Sequence, residues 1–134
     1  MKVLLSIKPE YADKIFNNEK KYEYRKTIFK KEVDSVVVYV TKPIGKIMGE
    51  FSIEEIICDD PRMIWKNTQE FSGISEDKFD AYFRNKSKGY ALKIGKVKRF
   101  SRPIDPRELW GTFTPPQSFC YVDDDFLSYI VARS

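Results

Sequence analysis

Asn18-Glu19-Lys20-Lys21-Tyr22-Glu23-Tyr24-Arg25 is the stretch on which the reading of this chain turns. It lies where a helical pattern ends and a strand pattern begins. Asn17 and Asn18 stop the helix, because asparagine tolerates the left-handed backbone that a helix terminus often takes. Side chains alternate along the strand that follows, so Lys21, Glu23 and Arg25 share one face and Tyr22 and Tyr24 the other. Lys20, Glu23 and Arg25 fall within six residues. Charges of both signs beside an aromatic face suit a polar ligand. They equally suit a solvated edge strand whose charges deter pairing with a neighbour.

Working outward, Val3 to Ile7 reads as a buried first strand. Pro9 opens a helix where a missing N–H costs nothing, with Ala12, Ile15 and Phe16 as its apolar stripe. Lys21 to Lys26 is a second strand, Lys30 to Asp34 a charged turn, and Ser35 to Thr41 a central third strand. After a turn at Pro43 and Gly45, the residues Ile47, Gly49, Phe51 and Ile53 alternate with polar ones. The alternation slips at Glu54-Glu55 and resumes at Ile56, the mark of a β-bulge in a long, curled strand.

Asp60-Pro61 starts a helix lined by Ile64, Trp65 and Thr68, and Ser75 caps another that carries Phe79, Tyr82 and Phe83. Tyr90, Leu92 and Ile94 share a face of a further strand that continues over Val97 to Phe100. Beyond it Pro103, Pro106, Pro115 and Pro116 break the chain up, around a short turn at Arg107 to Trp110. Ser118 to Val122 reads as a last strand, and Asp123-Asp124-Asp125 as the start of a terminal helix with Phe126, Ile130 and Val131 inward. The expectation is one α+β domain over residues 1–134, with five to six strands, two to three flanking helices and a mixed, barrel-like sheet.

Composition narrows the chemistry. A chain of 134 residues with 42% hydrophobic and 15% aromatic side chains can bury a real core. The longest strongly apolar run, Val36 to Val40, is far short of the roughly 20 residues that span a bilayer, and no signal-peptide pattern follows Lys2. A cytoplasmic protein is expected. Cys58 and Cys120 stand alone, without C-x-x-C spacing, and read as two reduced, half-buried thiols. The chain has no histidine. That removes Ser-His-Asp and Cys-His catalysis and the histidine-dependent zinc signatures, and leaves Lys, Glu, Asp, Tyr or a hydroxyl for any catalysis. No glycine-rich loop opens a helix as a dinucleotide-binding loop would. No cofactor and no metal are expected.

The net charge of +4 is uneven. Residues 1–50 hold 11 basic and 7 acidic side chains, residues 51–100 hold 10 and 8, and residues 101–134 hold 3 and 5. A basic N-terminal half suits phosphate contact as well as ordinary solubility. A helix-turn-helix over residues 61–83 is disfavoured, because Glu76, Asp77 and Asp80 give its second helix an acidic outer side.

Three groups of residues remain as candidates. Lys20 and Arg25 suit phosphate or a base edge, with Glu23 to orient one of them or to accept from an exocyclic amine. Lys8, at the mouth of the first helix, either adds to its anion-favouring N-terminus or lies along the surface. Pro115-Pro116-Gln117-Ser118-Phe119, followed by Tyr121, is either a base platform or a structural turn with Phe119 in the core.

Together these residues resemble the ASCH family, a branch of the PUA-like β-barrels. The resemblance rests on Ser6-Ile7-Lys8-Pro9, the helix after it, and a match of residues 18–25 to the family's G-x-K-x-x-E-x-R, with Asn18 in place of the glycine. The strands Gly45 to Ile57 and Tyr90 to Val97 and the tail Pro115 to Phe119 also fit, so the likeness covers most of the chain. It is similar to small stand-alone prokaryotic members, some described as predicted transcriptional regulators.

The resemblance implies a small pseudo-barrel with a cleft lined by the motif that binds RNA or a nucleotide. One branch resembles amidohydrolases of acylated cytidine nucleosides that use Lys, Thr and Glu; here Lys20 matches the lysine but Glu23 stands at the threonine position, and Thr27 is too far along the strand to replace it. Others have been linked to ribonuclease activity. The leading expectation is therefore an RNA- or nucleotide-binding module in RNA metabolism or transcription-linked regulation. It would use Lys8, Lys20, Glu23 and Arg25, with Gln117, Ser118, Phe119 and Tyr121 beside them. The alternative is a hydrolase of RNA or a modified nucleoside, with Lys20 and Glu23 moving protons.

Overall fold

Strand β1 (Lys2–Ile7) is buried on both faces, with Val3, Leu5 and Ile7 in one core cluster and Leu4 in another. A run of this kind belongs in the interior of a sheet. The computed structural model, which describes residues 1–123, places it between β3 (Ser35–Val40) and the three-residue β6 (Cys120–Val122). The six-stranded sheet runs β2 (Tyr22–Arg25), β5 (Gly89–Ile104), β4 (Lys46–Asp59), β3, β1, β6. β1 and β3 are parallel and every other neighbouring pair is antiparallel.

Helix α1 (Pro9–Phe16) packs Ala12 and Ile15 onto the cluster formed by Val3, Leu5, Val36, Val38, Phe51 and Leu92. It ends at Asn18, whose φ of 62° is the left-handed turn expected there. On the opposite face, Leu4, Val37, Ile47, Phe100 and Ile104 form a second cluster. A third gathers Tyr24, Ile64, Phe79, Phe83 and Ala91 beneath α2 (Pro61–Thr68) and α3 (Glu76–Tyr82). The Asp60 and Ser75 side chains cap these two helices, accepting from Met63 N at 3.1 Å and Lys78 N at 3.3 Å. A 3-10 turn, Gln69–Phe71, follows α2.

Several details depart from the sequence reading. Among the described residues the sheet is open: β2 and β6 are its edges and share no ladder. Both strands are short, and the chain entering β6 passes through Pro115 and Pro116, which have no N–H to give. Side chains bridge the gap instead. Arg25 Nη2 donates to Ser118 O at 2.7 Å and the Thr27 and Ser118 hydroxyls meet at 3.1 Å, while Ser6 Oγ of β1 donates to Pro116 O at 2.9 Å and holds the segment that leads into β6.

The register shift expected near Glu54 is present between Ile53 and Glu55, and two further shifts curl the β4–β5 pair. β5 does not stop at Phe100 but runs through Pro103 to Ile104, because its partners skip from Gly49↔Arg99 to Ile47↔Ile104 and release the ladder around the proline. The turn at Arg107 is a short fourth helix, α4 (Arg107–Trp110), with Asp105 Oδ1 accepting from Arg107 N at 2.9 Å. Cys58 is exposed rather than half-buried, since it lies at the end of β4; Cys120 is partly buried, and both are free thiols. The terminal helix expected after Asp123 lies outside the described residues. Among those described, no helix is long and apolar enough to cross a membrane.

Candidate functional site

Three elements converge where β1 meets α1. The end of β1 brings Ser6 and Ile7, the mouth of α1 brings Lys8, Glu10 and Tyr11, and the β2 edge brings Lys20, Glu23, Tyr24 and Arg25. α3 closes the space with Lys78, Phe79, Ala81 and Tyr82. The result is a cleft of about 530 Å³.

The solvated-edge reading of β2 does not hold, because the turn and helix that follow α2 lie over it. Lys20 is 3% exposed and Glu23 7%. Lys20 Nζ donates to Ser72 O at 2.6 Å and sits 4.8 Å from the ring centroid of Tyr24 and 5.4 Å from that of Tyr11. Burial, slightly offset by the Glu23 carboxylate and reinforced by Lys14, pulls its pKa down to about 8. The Glu23 carboxylate pairs with Arg25, Oε2 to Nη1, at 3.4 Å.

Tyr24 is held from behind. The Thr68 hydroxyl donates to Ile64 O at 2.7 Å, so the 2.7 Å contact between Tyr24 and Thr68 uses the tyrosine's proton. Burial pushes the Tyr24 pKa up to about 12, and burial followed by nearby carboxylate charge raises that of Tyr11. Tyr82 is raised chiefly by burial as well.

Lys8, Lys20, Glu23 and Arg25 thus come together in one cleft. Lys21, predicted to share their face, is exposed and lies over the Phe71 ring at 4.5 Å. Gln117, Ser118, Phe119 and Tyr121 do not line the cleft. Gln117 is exposed, and Ser118 anchors Arg25 from outside. Phe119 is edge-on to Phe29 at 5.6 Å against the core, and Tyr121 Oη accepts from Lys30 N and Lys31 N. The aromatic rings in the cleft are instead Tyr11, Tyr24, Phe79 and Tyr82. Sequence reasoning placed Tyr82 in a core stripe and passed over Tyr11. The available signal was a polar-tipped aromatic at the margin of each helix's apolar face. Thr27, bonded to Ser118, is also outside the cleft, and the Ser6 hydroxyl inside it is committed to Pro116 O. The Lys-Thr-Glu amidohydrolase pattern therefore finds no free hydroxyl in its expected place.

Residues 1–112 match the family described as a domain of unknown function, DUF365. The large ribosomal subunit protein uL22 of Ureaplasma parvum serovar 3 is 32% identical over 121 residues, 90% of this chain and 39% of that protein. The chain thus spans about two fifths of that relative's length. An ASCH domain-containing ribonuclease of Zymomonas mobilis is 26% identical over 126 residues, 89% of this chain and 82% of that one. A crystal structure of ASCH from Zymomonas mobilis superposes with a TM-score of 0.91 at 24% identity, covering 98% of this chain and 94% of that one.

Proposed function

The chain belongs to the DUF365 family and has the ASCH-domain fold, and from that premise we propose that it binds RNA in the cleft beside Arg25. The observation that carries this reading is the burial of Lys20 and Glu23 in a cleft whose walls also hold Arg25, Tyr11 and Tyr82. Buried ionic groups around an aromatic-lined space are costly to maintain without a ligand to meet them, whereas stacking and charge together hold single-stranded RNA. In this proposal Lys8, Lys20 and Arg25 contact phosphate or base, Glu23 orients them or accepts from the base, and Tyr11 and Tyr82 offer stacking surfaces. A neighbouring nucleotide passes over Gln117 and Ser118 outside Arg25, with Phe119 and Tyr121 supporting that rim. Such a module would act in the cytoplasm, in RNA metabolism or transcription-linked regulation.

Arg25→Ala should weaken binding of a single-stranded RNA oligomer by at least about tenfold, the usual scale for losing a charged hydrogen-bonding group. Fluorescence anisotropy measures this, and unchanged affinity would falsify the assignment.

A second reading, RNA hydrolysis, is favoured by the low pKa of Lys20 near the Glu23 carboxylate and by the similarity to a protein named as a ribonuclease. A lysine that titrates near 8 can exchange protons with a substrate more readily than an ordinary one. Incubation with labelled RNA decides it: turnover lost in Lys20→Met supports hydrolysis, and none above that variant's background removes it.

A further inference from the structure

A second cavity, of about 860 Å³, opens at the same end of the sheet as the first, where the parallel strands β1 and β3 finish. Ser6 and Ile7 of β1 line the cleft already described, and Tyr39 of β3 lines the second space. Ser6 and Tyr39 are register partners, and Thr41 N donates to Ile7 O at 3.0 Å just beyond them. Neighbouring strands lie about 4.8 Å apart, so the two linings come within one strand spacing of each other. Residues 115–118 join them. Arg25 and Ser6, both in the cleft lining, hold Ser118 O and Pro116 O, and Pro115 lines the second cavity.

The second cavity has the chemistry of a site for a phosphorylated aromatic ligand. Lys42, Lys46 and Arg107 line it against one carboxylate, that of Asp105, which already accepts from Arg107 N at 2.9 Å and Arg107 Nε at 3.4 Å. Lys42 and Lys46 are exposed, and neither enters an ion pair among the described residues. Tyr39 is 5% exposed, with its ring 5.0 Å from that of Phe113, which also lines the space. Its hydroxyl lies 3.7 Å from where a Cβ on Gly45 would stand, at the cavity lining. No hydrogen-bond partner for that hydroxyl stands among the described residues. A buried hydroxyl without a partner is costly, and a phosphate oxygen that meets it together with the lysines satisfies it. Phe113, stacked on Trp110 at 5.6 Å and 16°, gives a base an aromatic surface.

We propose that this cavity holds a second nucleotide of the RNA strand bound in the first cleft, with Tyr39, Lys42 and Lys46 on its phosphate and Phe113 against its base. The inference rests on the RNA-binding proposal above. The strand crosses the rim made by residues 115–118, where Gln117 is exposed. Two contacts on one strand make the second effectively intramolecular, so affinity grows with length until both spaces are filled.

The test is a length series of single-stranded RNA, from a dinucleotide to about eight nucleotides, within the ordinary footprint of a single-strand site. Affinities are measured by titration calorimetry for the wild-type chain, Arg25→Ala, Tyr39→Phe, and Lys42→Ala combined with Lys46→Ala. Wild-type affinity should rise at least about tenfold along the series. On the longest oligomer, Tyr39→Phe should lose about threefold and the double lysine variant about tenfold, the scale of a neutral and of charged hydrogen bonds. Both should match the wild type on the dinucleotide, which Arg25→Ala weakens.

A wild-type affinity that does not change with length overturns the second site and leaves RNA binding in the first cleft standing. Wild-type affinity for the longest oligomer in both second-cavity variants does the same, as does an equal loss at every length. A dinucleotide lost in the double lysine variant but kept in Arg25→Ala makes the cavity an independent nucleotide site and overturns the shared strand. Failure of the wild-type chain to bind any oligomer overturns the RNA proposal and this inference with it. The exposed lysine pair decides alone if Tyr39→Phe does not fold.

Discussion

Lys20 carries a charge that the fold makes expensive. In the unfolded chain its amine titrates near 10.5, and in the folded chain near 8, mainly because burial disfavours the charged form. Below pH 8 both states hold the proton and the full cost of burying it is present. Between 8 and 10.5 the folded state releases the proton while the unfolded state keeps it, so stability should rise with pH across that window. The total is at most about 3 kcal/mol. Tyr24 acts in the opposite sense: its folded pKa of about 12 exceeds the ordinary 10.0, so its contribution is full below pH 10 and is lost between 10 and 12. Denaturant titrations at pH 7.5 and 9.5 should show wild-type stability rising and Lys20→Met staying level. A flat wild-type profile would mean that the amine is better solvated than its 3% exposure implies.

At the scale of elements, the turn between α2 and α3 fixes Lys20 at the edge of the cleft that α3 closes. Its Ser72 carbonyl takes the Lys20 amine and its Gly73 carbonyl takes that of Lys14 at 3.3 Å. Gly73 has φ +67°, and a Cβ there would lie 2.5 Å from Lys20 Cβ. Gly73→Ala should cost about 1–2 kcal/mol for the left-handed backbone alone, and more for displacing the lysine stem. Chemical denaturation measures the loss, and wild-type stability in this variant would show that the turn does not press on Lys20.

The sequence announced much of this region. Asp60-Pro61 and Ser75 marked the helix starts, and Gly73 marked a turn. It did not announce that the turn folds back over residue 20, because that contact joins positions 52 apart and hydrophobic period describes only near neighbours. The same gap explains β5. Pro103 ends a strand by local rule, yet here a bulge carries the strand past it.

For the whole molecule, a net charge of +4 is too small to bind nucleic acid without focusing. The cleft provides some focus, since Lys8, Lys20, Arg25 and Lys78 outnumber Glu10 and Glu23 there by four to two. If binding runs through this cleft, the slope of log affinity against log salt should lie between about −1 and −3, from about −0.7 per neutralised phosphate. A steeper slope in a salt titration would place most of the binding on surface outside it.

The amino-acid sequence by itself determined most of the strands, the starts of α1, α2 and α3 and the stop at Asn18, because periods of 2 and about 3.6 and the backbone preferences of Pro, Asn, Asp and Ser act over a few residues. It also brought Lys8, Lys20, Glu23 and Arg25 forward as candidates. Only the tertiary structure decided that β2 is a covered cleft wall rather than a wet edge, that Tyr11, Tyr24, Phe79 and Tyr82 provide its aromatic surface, and that Gln117 to Tyr121 stand outside. The cost of a charge depends on what is packed over it, and for Lys20 and Glu23 that covering comes from chain some fifty residues away.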